Sequence, residues 1–146
     1  MAAPAQSFKE LVVWQRSIKL ATEIYRMTSK FPREELYGLT SQIRRSATSI
    51  ASNIAEGQGR LTTGEFCQFL GIARGSTFEL QTQLQIARNL DMADPIVMNE
   101  AESKSNEISK MLCALLASLR ISSTMRAFCL SRVTCERRRL ATSKHC

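Results

Sequence analysis

Between Leu39 and Gly57 the chain reads LTSQIRRSATSIASNIAEG. Leu39, Ile43, Ala47, Ile50 and Ile54 recur at steps of three and four, the spacing that lines up side chains along one face of an α-helix. The helix is expected to start between Arg33 and Thr40. Gly57 and Gly59 follow it, where a left-handed cap without a Cβ clash would end it. A single apolar face of this length has to be covered by other helices.

Upstream, Ser7 with Glu10 three residues on forms a capping box, which opens a first helix. Two apolar stripes follow. One is Leu11, Trp14, Ile18, Ala21 and Tyr25; beside it runs Val13, Leu20, Ile24 and Met27. The pattern fades at Phe31-Pro32, since Pro cannot continue the ladder. One stripe suffices for the core of a bundle. The other either packs on a second neighbouring helix or stays exposed as a contact surface.

Downstream, Thr62 with Glu65 is a second capping box. Phe66, Phe69, Leu70, Ala73, Thr77, Leu80, Leu84 and Ala87 form the stripe of the helix it opens. A fourth helix starts at Asp94-Pro95, an N-cap followed by Pro at the first helical position, and Ile108, Leu112, Leu115 and Leu119 turn it inward. Short connections make sequential helices antiparallel, so the expected fold is all-α, an up-down-up-down four-helix bundle over residues 1–120. Residues 121–146 are expected to be a weakly helical to irregular basic tail, without periodicity from Ser131 on.

Composition agrees: 44% of residues are hydrophobic, enough for a globular core, with only 6% aromatics and three Pro. The net charge of +7 is uneven. Residues 1–120 carry 14 Lys and Arg against 12 Asp and Glu, a net of +2; the remaining residues carry six against one, a net of +5. On net charge alone the bundle is not a general polyanion binder. The N-terminal residues lack the basic start and apolar run of a secretory signal. The apolar stretch at Leu112–Ala117 is far too short to span a bilayer. No membrane role is expected, and the expected location is cytoplasmic. Cys67, Cys113, Cys129, Cys135 and Cys146 should be free thiols there.

Signals for catalysis are missing. Di-iron bundles need Glu-x-x-His pairs, and the single histidine here is His145. Without a core His, no Ser or Cys has the usual base for nucleophilic attack. Cys129, Cys135, His145 and Cys146 match no common zinc spacing. Gly57-Gln58-Gly59-Arg60 lacks both the preceding strand and the Lys-Ser/Thr of a phosphate loop. No enzymatic activity, metal or cofactor is expected.

More informative is a polar set on two helices. Gln42, Arg45, Ser46, Asn53 and Glu56 lie on the second; Arg74, Ser76 and Glu79 lie on the third. Gln42, Arg45, Asn53, Glu56 and Glu79 are expected to form a satisfied network that fixes helix register, with a ligand site as the alternative. Arg45 and Glu79 would pair inside the bundle. Gly71 and Gly75 are costly in a helix interior, about 1 kcal/mol each against Ala. They point to close helix–helix approach or to a bulky partner side chain above them. Arg16, Lys19, Arg44, Arg60, Arg74 and Arg88 are either ordinary solvated charges or parts of a basic surface built by several copies.

Several of these strings occur together in one family. Phe8-Lys-Glu-Leu-Val-Val-Trp-Gln15, Phe31-Pro32, Tyr37-Gly-Leu-Thr-Ser-Gln-Ile-Arg-Arg45, Ser49-Ile-Ala-Ser-Asn-Ile-Ala-Glu-Gly57, Gly59-Arg60, Glu65-Phe66, Phe69-Leu70, Ala73-Arg-Gly-Ser76 and Glu79-Leu80 resemble the four-helix-bundle proteins first noted in intervening sequences of large-subunit ribosomal RNA genes. That family includes the accessory variability protein of diversity-generating retroelements. The resemblance covers about residues 7–120. It implies a ring-shaped homopentamer. For the retroelement branch it also implies binding of RNA or DNA, and of a reverse transcriptase, through basic surfaces of the ring. On this reading the protein is a non-catalytic, homo-oligomeric nucleic-acid-binding protein, with Arg44, Arg60, Arg74 and Arg88 as contacts. The alternative is a protein–protein adaptor or scaffold that docks a partner on the wide apolar face of the first helix.

Overall fold

A computed structural model of the chain describes the backbone of residues 7–142 and the side chains of residues 7–121. Four α-helices make up a four-helix bundle: α1 (Val12–Thr28), α2 (Leu39–Gln58), α3 (Thr63–Asn89) and α4 (Pro95–Thr142). Short 3-10 turns precede α1 and α2, and no strand occurs among the described residues.

The core follows the apolar stripes. Val13, Leu20, Ile24 and Met27 of α1 are buried, as are Ile43, Ala47, Ile50 and Ile54 of α2. Leu70, Ala73, Leu80, Leu84 and Ala87 of α3 and Met98, Ile108, Leu112 and Leu116 of α4 complete it. The other α1 stripe divides. Leu11 and Trp14 are half-buried against the core, with Phe8 meeting Trp14 edge to face at 5.1 Å between ring centres. Ile18 and Tyr25 remain 42% and 46% exposed. On α4 the inward position is Leu116, while Leu115 and Leu119 are only partly buried.

Helix boundaries show what the motifs do. Thr62 caps α3 through the Glu65 N–H at 3.2 Å and donates its hydroxyl to the Glu65 carboxylate at 2.7 Å. Asp94 caps α4 through the Ile96 N–H at 2.8 Å. Between these helices Asp91 takes a left-handed conformation with φ 50°, which short polar side chains tolerate better than most. Ser7, expected to open the first long helix, instead caps a 3-10 turn at Phe8–Glu10; α1 begins after Leu11, whose extended backbone separates the two.

The left-handed glycine cap expected after α2 is also absent. Gly59 is right-handed, with φ −76°, and no described glycine has positive φ. Gly57 has a different reason for being glycine. A Cβ there would stand 2.6 Å from Phe69 Cβ and 3.0 Å from Phe66 Cδ2, so the missing side chain lets α3 cross close to the end of α2. Gly71 and Gly75 show the reverse. Nothing lies within 4 Å of a Cβ at either, so no close approach among the described residues explains them.

Irregular backbone was expected from Ser131. The backbone is helical through Thr142; the segment from Ile121 contains no Gly or Pro to stop it, and its several Arg are good helix formers. The tail side chains Arg132, Arg137, Arg138, Arg139 and Lys144, and the cluster Cys129, Cys135, His145 and Cys146, lie outside the described residues.

Candidate nucleic-acid interface

Arg44, Arg60, Arg74 and Arg88 are set by different neighbours. Arg44, on the first half of α2, donates from Nε to Thr28 Oγ1 at 2.8 Å and lies 4.9 Å from the Tyr25 ring centre. Both partners belong to α1, so that helix fixes the guanidinium from two directions. Arg60, just beyond α2, pairs with Glu56 one turn back and covers the Phe69 ring at 4.7 Å. Arg74 of α3 reaches towards Phe78 at 5.9 Å and Cys113 Sγ of α4 at 3.9 Å. Each of these three distances is within the range at which a cation and an aromatic face attract.

Arg88 behaves differently. It grips Glu102 of α4 with two hydrogen bonds of 2.8 Å, from Nε and Nη2, and Nη2 also donates to Asn99 Oδ1 at 2.7 Å. The Glu102 hydrogen bond holds the guanidinium pKa above its ordinary value, against a smaller opposing effect of burial. A planar fork matched to one carboxylate is a strong, oriented pair. Arg88 therefore ties α3 to α4, with its charge already matched. Arg60 is likewise matched by Glu56, and Arg16 by Glu107. Arg44 and Arg74 are in none of the described ion pairs.

The polar network expected across α2 and α3 is built mostly from other residues, with Asn53 kept and Glu79 at its edge. Gln42, Arg45, Glu56 and Glu79 are exposed, and only Asn53 of the five is half-buried. Arg45 and Glu79 form no ion pair among the described residues. Arg45 precedes Ser46 by one position, about 100° around the helix, which carries it out of the seam. The seam itself is neutral. Ser46 donates to Gln83 Oε1 at 2.7 Å, Ser49 and Ser76 share a hydrogen bond of 2.9 Å, and Asn53 donates to Ser49 Oγ at 3.0 Å. Glu79 joins only at its edge, accepting from Gln83 Nε2 at 3.1 Å. Ser46, Asn53 and Ser76 were visible in sequence. Gln83 was not singled out, although it occupies a buried α3 position beside Leu84.

Among the described residues no group of three His, Cys, Asp or Glu side chains is placed to hold a metal ion. No helix in that range is long and apolar enough to cross a membrane.

Residues 9–114 match the model of the 23S rRNA-intervening sequence protein family. The chain belongs to that family. No curated protein matches it. Among solved structures it is similar to a protein of unknown function from the S23 ribosomal protein family of Bacteroides thetaiotaomicron. That protein is 25% identical, over 72% of this chain and 98% of the other, with a TM-score of 0.68. This family member therefore shares its bundle with a solved relative over nearly the whole of that relative. Its α4 runs beyond the matched region, which ends at residue 114.

Proposed function

We propose that this family member is a non-catalytic, homo-oligomeric protein of the cytoplasm that contacts nucleic acid through basic positions on the outside of the bundle. The observation that carries the reading is Arg44. Its guanidinium is half-buried, oriented by Thr28 and Tyr25, and matched by no carboxylate among the described ion pairs. An arginine fixed in this way loses little freedom on meeting a phosphate. Arg74 is a second unmatched contact, while Arg60 and Arg88 contribute less because Glu56 and Glu102 already neutralise them.

Assembly is supported by uncovered apolar side chains on unlike faces. Ile18 and Tyr25 project from α1, and Ile72, Phe78 and Ile86 project from α3, each more than 40% exposed. A ring needs a heterologous contact of two different surfaces, and the family resemblance supplies five as the number of copies. Up-down-up-down order is supported by opposed contacts: Ser46 with Gln83 but Ser49 with Ser76, and Arg88 with Glu102 but Gln81 with Asn106. A ring would repeat Arg44 and Arg74 in every copy and raise the local field well above that of one protomer.

The test combines mass and salt. Light scattering should give close to five times 16.4 kDa. Affinity for a labelled oligonucleotide should fall with salt, the logarithmic slope being about −0.7 per phosphate contacted for a single strand and about −0.9 for a duplex. A monomer at micromolar concentration would remove the ring. Oligonucleotide binding that is absent, or indifferent to salt, would leave the adaptor reading, in which a protein docks on Ile18 and Tyr25.

A further inference from the structure

Where the chain leaves α1, passes Phe31-Pro32 and enters α2, it encloses a cleft of about 290 Å³. Phe31, Pro32 and Leu36 form its apolar side, and Thr28, Thr40 and Arg44 face them with Arg33 at the rim. The two charged residues in this lining are both arginines. Glu35, one residue before Leu36, is turned to the start of α2, where its Oε2 accepts the Leu39 N–H at 3.1 Å.

Thr40 adds an independent observation. It is 2% exposed, and its hydroxyl has no hydrogen-bond partner among the described residues. The buried hydroxyls of Ser17, Thr28 and Thr77 all donate to the carbonyl one turn back in their own helices, at 2.7 to 3.0 Å. Thr40 makes no such bond, although the neighbouring Ser41 hydroxyl reaches the Gly38 carbonyl at 3.1 Å; the other buried hydroxyl without a partner among the described residues is Ser105 of α4. A buried hydroxyl left unmatched is destabilising, and such a group calls for an acceptor from outside the fold.

The geometry points to an oxyanion site in this cleft, sized for a single phosphate group, with Arg44 and Arg33 supplying charge and the Thr40 hydroxyl donating a hydrogen bond. Thr28 holds Arg44 Nε and the Tyr25 ring covers its plane, so the Nη groups are the ones presented to the ligand. The volume is at the small end for organic ligands, which suits a phosphate better than a bulky molecule. The phosphate is borne either by a nucleic-acid backbone or by a small molecule. Only the first bearer rests on the function proposed above; the chemistry of the cleft does not.

Calorimetric titration of the full chain with inorganic phosphate, against chloride at matched ionic strength, tests the site. One saturable phosphate per chain is expected. Arg44→Gln should weaken it at least tenfold, and Arg44→Lys several-fold, because a point charge replaces the planar fork. Thr40→Val should weaken it about tenfold while raising the melting temperature of the phosphate-free protein, since the unmatched hydroxyl is gone; Thr40→Ser should retain binding. Lys110→Gln, on the outside of α4, should change nothing. Absence of saturable binding at millimolar phosphate would overturn the site, as would equal loss in Lys110→Gln. The same variants are then measured with a labelled oligonucleotide. Phosphate binding lost in Arg44→Gln with oligonucleotide affinity unchanged keeps the site and removes the nucleic-acid bearer. Oligonucleotide binding without any phosphate binding keeps the proposed function and overturns the site. If circular dichroism shows Arg44→Gln unfolded, the Thr40 pair decides: a Thr40→Val protein that binds phosphate like the unmodified chain refutes the proposal.

Discussion

The α2–α3 contact and the attachments of α4 are built from opposite materials. Along α2–α3 the polar groups are neutral and short: Ser46 with Gln83, Ser49 with Ser76 and Asn53 with Ser49. The seam closes at Gly57, whose missing side chain admits Phe66 and Phe69. Around α4, the polar contacts are mostly ionic and solvent-facing: Arg16 with Glu107, Glu23 with Lys104 and Arg88 with Glu102, beside an exposed amide pair of Gln81 and Asn106. A hydroxyl or amide in a dry seam tolerates only one arrangement, because an unmatched partner has no water to turn to. A long charged side chain at a rim can exchange its partner for water at little cost. The bundle thus combines a hairpin of fixed register with a fourth helix whose polar ties are adjustable.

The sharpest way to break this contrast is to give Gly57 a side chain. A Cβ there meets Phe69 Cβ at 2.6 Å, and a Cβ atom cannot move aside without its own backbone. Gly57→Leu is therefore expected to cost about 1–3 kcal/mol or more, as overpacking does in close-packed interiors. Denaturant unfolding of the variant measures it. Gly71→Ala and Gly75→Ala serve as the comparison. Both positions open onto empty space among the described residues, and removing a helical glycine there should stabilise by about 0.5–1 kcal/mol each. A Gly57 variant as stable as the unmodified chain would mean that α2 and α3 can separate without penalty, and the idea of a fixed hairpin would be wrong.

These glycines also show what was legible in the sequence and what was not. The helical period of Ile43, Ala47, Ile50 and Ile54 gave the core face of α2, because burial of a stripe depends only on spacing along one element. The caps at Thr62 and Asp94 were legible for the same reason: both partners lie within one turn. Gly57 was read as a stop signal, and its real role depends on Phe66 and Phe69 from the next helix. Gly71 and Gly75 carried the expectation of close approach, and here it is Gly57 that allows it. Arg45 and Glu79 looked like a pair because each lies near buried polar positions, yet one step around a helix moves a side chain by about 100°. Among the candidate contacts, sequence could place Arg44 and Arg88 on helices but could not separate them. The difference lies in Thr28, Tyr25, Glu102 and Asn99, which are 11 to 19 residues away and meet them only through the fold.

A smaller effect tests whether the neutral seam sets the register. Ser46→Ala leaves the carbonyl oxygen of Gln83, a residue 6% exposed, without its donor. Stranding a buried acceptor should cost about 1–3 kcal/mol, whereas replacing both partners with apolar groups of similar shape can be nearly neutral. Ser46→Ala combined with Gln83→Leu should therefore recover most of what Ser46→Ala loses, and a double-mutant cycle on unfolding free energies reads the coupling directly. Simple additivity of the two changes would show that the hydrogen bond contributes nothing specific.

The smallest effects belong to α4. The Arg16 and Glu107 side chains are 47% and 49% exposed, and those of Lys104 and Glu23 are 34% and 29% exposed. At such positions an ion pair is worth about 0.2–1 kcal/mol, because solvent weakens the attraction and holding two long side chains costs entropy. Arg16→Gln and Glu23→Gln are each expected to lower stability by no more than that. Salt should erase most of the loss, since the screening length falls from about 10 Å at 0.1 M to about 3 Å at 1 M. Arg88→Gln should resemble them in its sign and in its salt dependence. Titration should not imitate salt here. The Arg88 guanidinium is raised by its Glu102 hydrogen bond, so its share of the stability is fully present below the unfolded-state pKa. It would be lost only as pH rises through the still higher folded value, beyond any neutral range. Melting curves at low and high salt, compared with the Ser46→Ala protein, separate the two kinds of contact. Loss in the α4 variants should shrink with salt, and loss in Ser46→Ala should persist. Equal salt sensitivity in both would mean that the neutral seam is wet and that the contrast between the hairpin and the fourth helix does not exist.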